Sequence, residues 1–168
     1  MSTTYVNRTR LAEELGLTDR RIRQMVAQHL LPEPWPELGY DLERCERYYG
    51  LYQRKDEPQA WIAFLRQIEE AALTVQRLID RALKPRGTKE QLKAASLALQ
   101  ALSADMRFVT AARSGGESER SFFEQWWSEK EDQNMGLLFG RAVQIMAEEA
   151  GTTAAEVERQ LRADSTAA

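Results

Sequence analysis

Arginine and glutamine side chains are concentrated near the N-terminus, where residues 18–24 read Thr-Asp-Arg-Arg-Ile-Arg-Gln. An arginine can donate two hydrogen bonds to one guanine, and a glutamine can pair with one adenine in the same two-point manner. These residue types suit the reading of base edges when a helix presents them on one face. The residues predicted to contact DNA are Thr18, Arg20, Arg21, Arg23 and Gln24, with Arg8 and Arg10 supporting the phosphates.

The other side chains that could carry chemistry lack a suitable set of partners. The chain has one histidine, His29, and one cysteine, Cys45, so neither a metal site nor a disulfide framework is expected. Adjacent carboxylates such as Glu69 and Glu70 point in different directions on a helix and make poor acid/base pairs. The sequence contains no phosphate-binding glycine loop, dinucleotide fingerprint, nucleophile elbow or zinc-protease motif. We therefore expect no enzymatic activity, no metal and no cofactor.

Two short helices are predicted to position the arginines. Asn7 is a suitable N-cap for a helix over residues 8–15, Gly16 ends that helix, and Thr18 caps a second helix over residues 19–29. The apolar positions follow helical spacing at Leu11, Ala12 and Leu15 in the first helix and at Ile22, Met25 and Val26 in the second. This layout predicts a helix-turn-helix whose second helix enters a DNA major groove, although a surface helix with arginines can also be simply solvated.

A proline-rich loop and a third helix follow. Three prolines in residues 32–36 exclude a helix there and favour an extended or turn segment, which is where a wing would lie. Trp35 would either cover the small core or stack against DNA. Asp41 is a plausible N-cap for a third helix over residues 42–54, in which Cys45 is expected to be a core residue. Residues 1–56 are thus predicted to form a winged helix-turn-helix domain.

The order of these segments resembles a known family. The run from Leu11 to Gln24, the proline-containing loop, and the run from Gly39 to Tyr49 look like the winged helix-turn-helix of bacteriophage terminase small subunits. The resemblance covers about the first third of the chain, and similar segments occur in excisionases and MerR-like regulators. It implies a subunit that binds packaging-initiation DNA, assembles into a ring and recruits the large terminase subunit, which supplies the ATPase and nuclease. The alternative is a dimeric transcription regulator of the MerR or excisionase kind.

Residues 57–113 are predicted to form a long antiparallel helical hairpin. Pro58 suits a helix start, residues 84–87 break the pattern, and Thr88 with Gln91 forms a capping box for the second helix. Apolar residues recur at steps of three and four, as in a coiled-coil seam, so that this region is either an ordinary helical core or an oligomerisation domain. The residues predicted to drive oligomerisation are Trp61, Leu65, Ile68, Val75, Ile79, Leu92, Leu99, Leu102 and Met106.

Residues 114–168 are predicted to form an acidic, helical C-terminal region. It would begin with a Ser-Gly-Gly joint at residues 114–116 and contain a helical pattern over residues 137–146, whose start is blurred by two glycines, and a last helix over residues 154–162. Four aromatic residues could pack on the hairpin or anchor a partner, because tryptophan is enriched at binding hot spots. These candidate partner-binding residues are Phe122, Phe123, Trp126 and Trp127.

Charge is distributed unevenly along the chain. The net charge of −3 combines nine basic and nine acidic residues in 1–56, nine and six in 57–113, and five and eleven in 114–168. A neutral first domain predicts weak DNA affinity for one copy, which an oligomer could raise, and it leaves a protein-binding scaffold as a third hypothesis. No apolar run is long enough for a membrane span or a signal peptide, and we expect a cytoplasmic, all-α protein that binds double-stranded DNA.

Overall fold

The computed structural model describes residues 3–112 and 117–167, with side chains described through residue 112 and again from 129 to 165. These ranges hold seven helices and one two-stranded sheet, so the expected all-α class is confirmed. In chain order the elements are β1 (Tyr5–Val6), α1 (Arg8–Leu15), α2 (Asp19–Ala27), β2 (Tyr40–Asp41), α3 (Leu42–Gln53), α4 (Pro58–Ala82), α5 (Lys89–Ala112), α6 (Glu117–Ala150) and α7 (Ala154–Ala167).

The chain divides into two compact units, and the division falls within α4, α5 and α6. One unit runs through Glu70 and resumes from Leu102 to Phe122, whereas the other contains Ala71–Ala101 and the chain from Phe123 onwards, with most of α6 and all of α7. The first unit therefore joins α1, α2 and α3 to the beginning of α4 and the end of α5. We had predicted a domain boundary near residue 56, which lies inside this unit.

Side-chain caps determine where the first three helices begin. The side chains of Asn7, Thr18 and Asp41 accept hydrogen bonds from the backbone N–H three residues later, at 2.9, 3.2 and 3.1 Å. Each cap satisfies an N–H that the helix itself cannot pair. Gly16 ends α1 in the left-handed conformation, with φ of 65°. These four positions were predicted from residue type, and the structure has them as expected.

The end of α2 differs from the prediction. The helix stops at Ala27 and does not extend to residue 29, because His29 takes a left-handed conformation with φ of 59°. The N–H of Leu30 then bonds to the carbonyl of Met25 at 2.8 Å, which closes the helix end. Leu30 and Leu31 turn inward and are buried.

The proline-rich segment forms a tight turn beside the small sheet. Trp35 and Gly39 exchange backbone hydrogen bonds of 2.8 and 3.0 Å, and β1 pairs antiparallel with β2 through Tyr5–Asp41 and Val6–Tyr40. Gly39 has φ of 96°, and a Cβ there would collide with the carbonyl oxygen of Val6. Only glycine fits this close approach between the turn and β1.

Aromatic side chains fasten α3 to the long helices. The ring of Tyr48 on α3 stacks on Phe108 of α5 with centroids 4.1 Å apart, and Trp61 of α4 stacks on the same Phe108 at 5.6 Å. Phe64 meets both Tyr48 and Phe108 edge-on. All four rings are buried, so they form the part of the core that holds the N-terminal helices in the first unit.

The helix α6 is continuous from Glu117 to Ala150, whereas the sequence predicts a separate short helical pattern over residues 137–146 with Gly136 and Gly140 near its start. A glycine inside a helix costs about 1 kcal/mol, and two of them do not outweigh burial of Leu138 and Val143 along the same helix. Val143 and Ala147 pack against Val157 of α7. The predicted joint at residues 114–116 lies outside the described residues.

Candidate nucleic-acid interface

Helix α2 has one buried face and one exposed basic face. Ile22 and Met25 are fully buried, whereas Arg20, Arg23 and Gln24 are exposed on the opposite side. The buried pair holds the helix against α1, the element with which α2 makes its main packing contact. The predicted base-reading residues are therefore presented together by a helix whose orientation is fixed by the core.

Arg20 and Arg23 are available for an external partner. Within the described residues neither side chain makes an ion pair or a side-chain hydrogen bond. Arg21 is partly buried, and its guanidinium donates to the side-chain oxygen of Gln24 at 2.8 Å. Arg20 and Arg23 are the two strongest candidates for base contacts, while Arg21 and Gln24 would have to exchange their mutual bond for one to DNA.

The remaining predicted contacts have structural partners. Thr18 is exposed but serves as the N-cap of α2, which occupies its hydroxyl as an acceptor. Arg8 bonds to Asp19 at 3.1 Å, an ion pair that links α1 to the first turn of α2. Arg10 contacts Glu13 and Glu14 on its own helix at 3.2 and 2.5 Å. Such exposed pairs contribute only about 0–1 kcal/mol, so a phosphate can compete for either arginine.

The turn between α2 and α3 is acidic. Glu33 and Glu37 are exposed in it, and Glu37 sits at the tip with φ of 66°. Trp35 is half-buried beneath the tip. A carboxylate repels a phosphate group, so this turn is unsuited to lie directly against a DNA backbone.

One polar cluster was missed by sequence reasoning. Arg44 of α3 donates to Asp105 of α5 at 2.8 Å, and the hydroxyl of Tyr48 donates to the same carboxylate in a very short bond. The Arg44 guanidinium also bonds to the Tyr48 hydroxyl at 3.2 Å. Burial raises the pKa of Tyr48 well above its ordinary value, so it remains a hydrogen-bond donor at neutral pH. The cluster links the third helix to α5 across 61 residues of sequence, and no local pattern signals such a pair.

Cys45 has no reactive character. It is fully buried, and burial raises the pKa of its thiol to about 12, so the thiolate is absent at neutral pH. Among the described residues, no group of three or more His, Cys, Asp and Glu side chains is placed to hold a metal ion. Helices long and apolar enough to cross a membrane are likewise absent from the described ranges.

Most of the residues predicted to drive oligomerisation are already buried within the single chain. Leu65 and Leu92 are partly buried, and the other seven are buried. These positions are thus largely covered within one chain, and their predicted role in oligomerisation stays a prediction. The side chains of Phe122, Phe123, Trp126 and Trp127 lie outside the described residues, so their predicted role in partner binding stays a prediction.

No protein-family model, curated protein or solved structure gives a significant match to this chain.

Proposed function

We propose that this chain is a sequence-specific double-stranded DNA-binding protein that acts as the recognition subunit of a viral genome-packaging machine. In this proposal β1 through α3 form a winged helix-turn-helix, and α4 and α5 form an antiparallel helical hairpin. The observation that carries the DNA-binding proposal is that Arg20 and Arg23 on α2 are exposed, opposite the buried Ile22 and Met25, and make no ion pair in the part of the chain that the structure describes. The packaging role rests on the resemblance to terminase small subunits.

The geometry of α1 and α2 supports this proposal. A recognition helix needs a second helix packed across it, a tight turn between the two and a free outer face. Gly16 provides the left-handed turn residue, and Thr18 caps the first turn of α2. Arginine is the side chain best suited to two-point contact with guanine, and two such arginines three residues apart lie on one face.

The acidic turn at Glu33 and Glu37 limits how the duplex can lie. Its charges disfavour close approach of phosphates, so the proposed contact is made through α2, with Arg8 and Arg10 of α1 as proposed phosphate contacts. Because the domain has no net charge, the proposal depends on the exposed Arg20 and Arg23 and not on the total charge.

A selection from a random pool of DNA duplexes tests the proposal. The wild-type protein should enrich a motif, and Arg20→Ala/Arg23→Ala should lose it. Each two-point base contact contributes about 1–3 kcal/mol, so two lost contacts should weaken binding to the selected duplex by about 30-fold or more. Circular dichroism should remain unchanged because both side chains are exposed.

The matched control is Arg47→Ala/Arg66→Ala. It removes the same charge from exposed positions on α3 and α4 that have no ion pair in the described part of the chain. A fall in affinity that is equal in the two double variants would mean that α2 is not the reading helix. Absence of any enriched motif for the wild type would reject sequence-specific DNA recognition.

One observation favours the alternative, a dimeric transcription regulator. Met135, Phe139 and Met146 are exposed on α6, and with Ala142 they recur at steps of four, three and four. This is the spacing of a two-stranded coiled coil. Light scattering on the purified protein distinguishes the packaging subunit from the transcription regulator. A ring would have the mass of many protomers, whereas the regulator would have the mass of two.

A further inference from the structure

Positively charged residues are concentrated in and around the turn between α4 and α5, and none of them belongs to the proposed DNA-contacting helix α2. Residues 77–93 contain six basic and two acidic residues, in a chain whose overall charge is −3. An open cavity of about 330 Å³ lies at this turn, and it is lined by Arg81, Lys84, Arg86, Gly87 and Gln91. From the sequence, residues 84–87 are interpreted as a helix break and Gln91 as part of a capping box, and no binding site is predicted here.

Apart from Gly87, each residue that lines the cavity has a side chain that can donate hydrogen bonds. Within the described residues Arg81, Lys84 and Arg86 make no ion pair, and all three are exposed. The side-chain oxygen of Gln91 accepts from the backbone N–H of Thr88 at 3.0 Å, which leaves the amide nitrogen of Gln91 to donate outward. The nearby carboxylates do not line the cavity, and Asp80 accepts a bond from Gln76.

The turn itself is held in a fixed shape. The N–H of Gly87 bonds to the carbonyl of Lys84 at 2.8 Å, and a Cβ on Gly87 would collide with the carbonyl oxygen of Ala82. Arg141 of α6, in the same compact unit, donates to the carbonyls of Pro85 and Gly87 at 3.2 and 3.4 Å. The positive side chains are therefore carried by a braced turn.

We propose that this turn is a phosphate-binding site, which takes the phosphodiester backbone of a nucleic acid without regard to base sequence. Three cations and an amide donor around one concavity match a phosphate group, which offers only acceptors and negative charge. The site is formed by residues other than those of the α2 face, and the proposal rests on the proposed function only for the identity of the polyanion.

The test measures how binding of a duplex of arbitrary sequence depends on salt. Each phosphate contact contributes about −0.9 to the slope of log K against log salt concentration. Lys84→Gln/Arg86→Gln should therefore make the slope less negative by about 1.8. The matched control, Arg77→Gln/Lys93→Gln, removes the same charge from exposed positions outside the cavity, on the two helices that flank the turn, and its slope should stay close to that of the wild type.

Two further experiments distinguish a nucleic acid from free polyphosphate as the ligand, and they separate failure of this proposal from failure of DNA recognition by α2. The same measurement is made in the Arg20→Ala/Arg23→Ala background, where the change in slope should persist even if recognition by α2 fails. Pyrophosphate is titrated separately while the amide resonance of Gly87 is followed by NMR. Equal slopes for the cavity and control variants would overturn the proposal. Binding of pyrophosphate with no change of slope on DNA would overturn the nucleic acid as ligand and leave a site for free polyphosphate.

Discussion

Replacement of Asp105 by alanine should destabilise the protein strongly, although this residue lies far along the chain from the proposed DNA contacts. Its carboxylate accepts hydrogen bonds from both Arg44 and Tyr48 of α3. The side chains of Arg44 and Asp105 are only 12% and 20% exposed. Removal of Asp105 therefore leaves a guanidinium with little access to water and a hydroxyl without its acceptor.

The magnitude follows from this burial. Loss of one partner from a buried ion pair costs about 3–5 kcal/mol, and the residual exposure of both side chains places Asp105→Ala near the lower end, at about 3 kcal/mol. Replacement of all three polar groups by apolar side chains of similar size, in Arg44→Met/Tyr48→Phe/Asp105→Leu, leaves neither a buried charge nor a buried hydroxyl without a partner. That triple variant should be within about 1–2 kcal/mol of the wild type.

Urea denaturation followed by circular dichroism measures these free energies of unfolding. The matched control is Glu57→Ala, which removes the carboxylate from the ion pair between Arg54 and Glu57, a 2.8 Å pair with both side chains more than half exposed. It should cost less than about 1 kcal/mol. If Asp105→Ala cost no more than Glu57→Ala, or if the triple variant were as unstable as Asp105→Ala, the reasoning from burial would be refuted.

Two further predictions concern the N-terminal domain. Burial raises the pKa of Cys45 to about 12, so the unfolded chain releases this thiol proton at lower pH than the folded chain does. The contribution of Cys45 to the free energy of unfolding should therefore be complete below about pH 9 and fall as pH rises, by about 1.4 kcal/mol at pH 10. Urea midpoints at pH 7 and pH 10 should show this additional loss in the wild type and not in Cys45→Ala. Gly39→Ala should lower the free energy of unfolding by about 2–3 kcal/mol in the same assay, because its Cβ would collide with the Val6 carbonyl. Gly16→Ala should lower it by about 1 kcal/mol, because there the Cβ meets open space and only the positive φ is unfavourable. Equal costs for the two glycine variants would contradict the steric argument.

The local features of the fold could be predicted because they depend on a few neighbouring residues. An Asn, Thr or Asp side chain can cap a helix through a bond that spans three residues, as at Asn7, Thr18 and Asp41. The capping box of Thr88 and Gln91 is of the same kind, with bonds of 3.0 and 3.1 Å. The start of each of these helices agreed with the prediction.

Features that depend on distant residues were not predictable in the same way. Arg44 and Asp105 are two charged residues among many, and only the folded chain brings them together. The continuity of α6 through Gly136 and Gly140 likewise depends on what the helix packs against, which outweighs the low helix propensity of glycine. For the candidate DNA site, the sequence identified the exposed arginines but not that Arg8 and Arg10 would be paired with carboxylates.

Periodicity also could not distinguish an internal core from an interface between subunits. A repeat of three and four describes a helix that packs against another helix, whether that helix belongs to the same chain or to a second copy. Residues such as Ile79 and Leu99 are almost fully buried within one chain, so they have no surface left to offer a neighbour. If the protein assembles into the ring that the resemblance to terminase small subunits implies, we expect the contacts to include apolar side chains that remain exposed, among them Leu73 and Phe139 at 63% and 54% exposure. The exposed side chains and the buried core residues are different residues of the same helices. Substitutions at these exposed positions should therefore alter the solution mass without unfolding the chain.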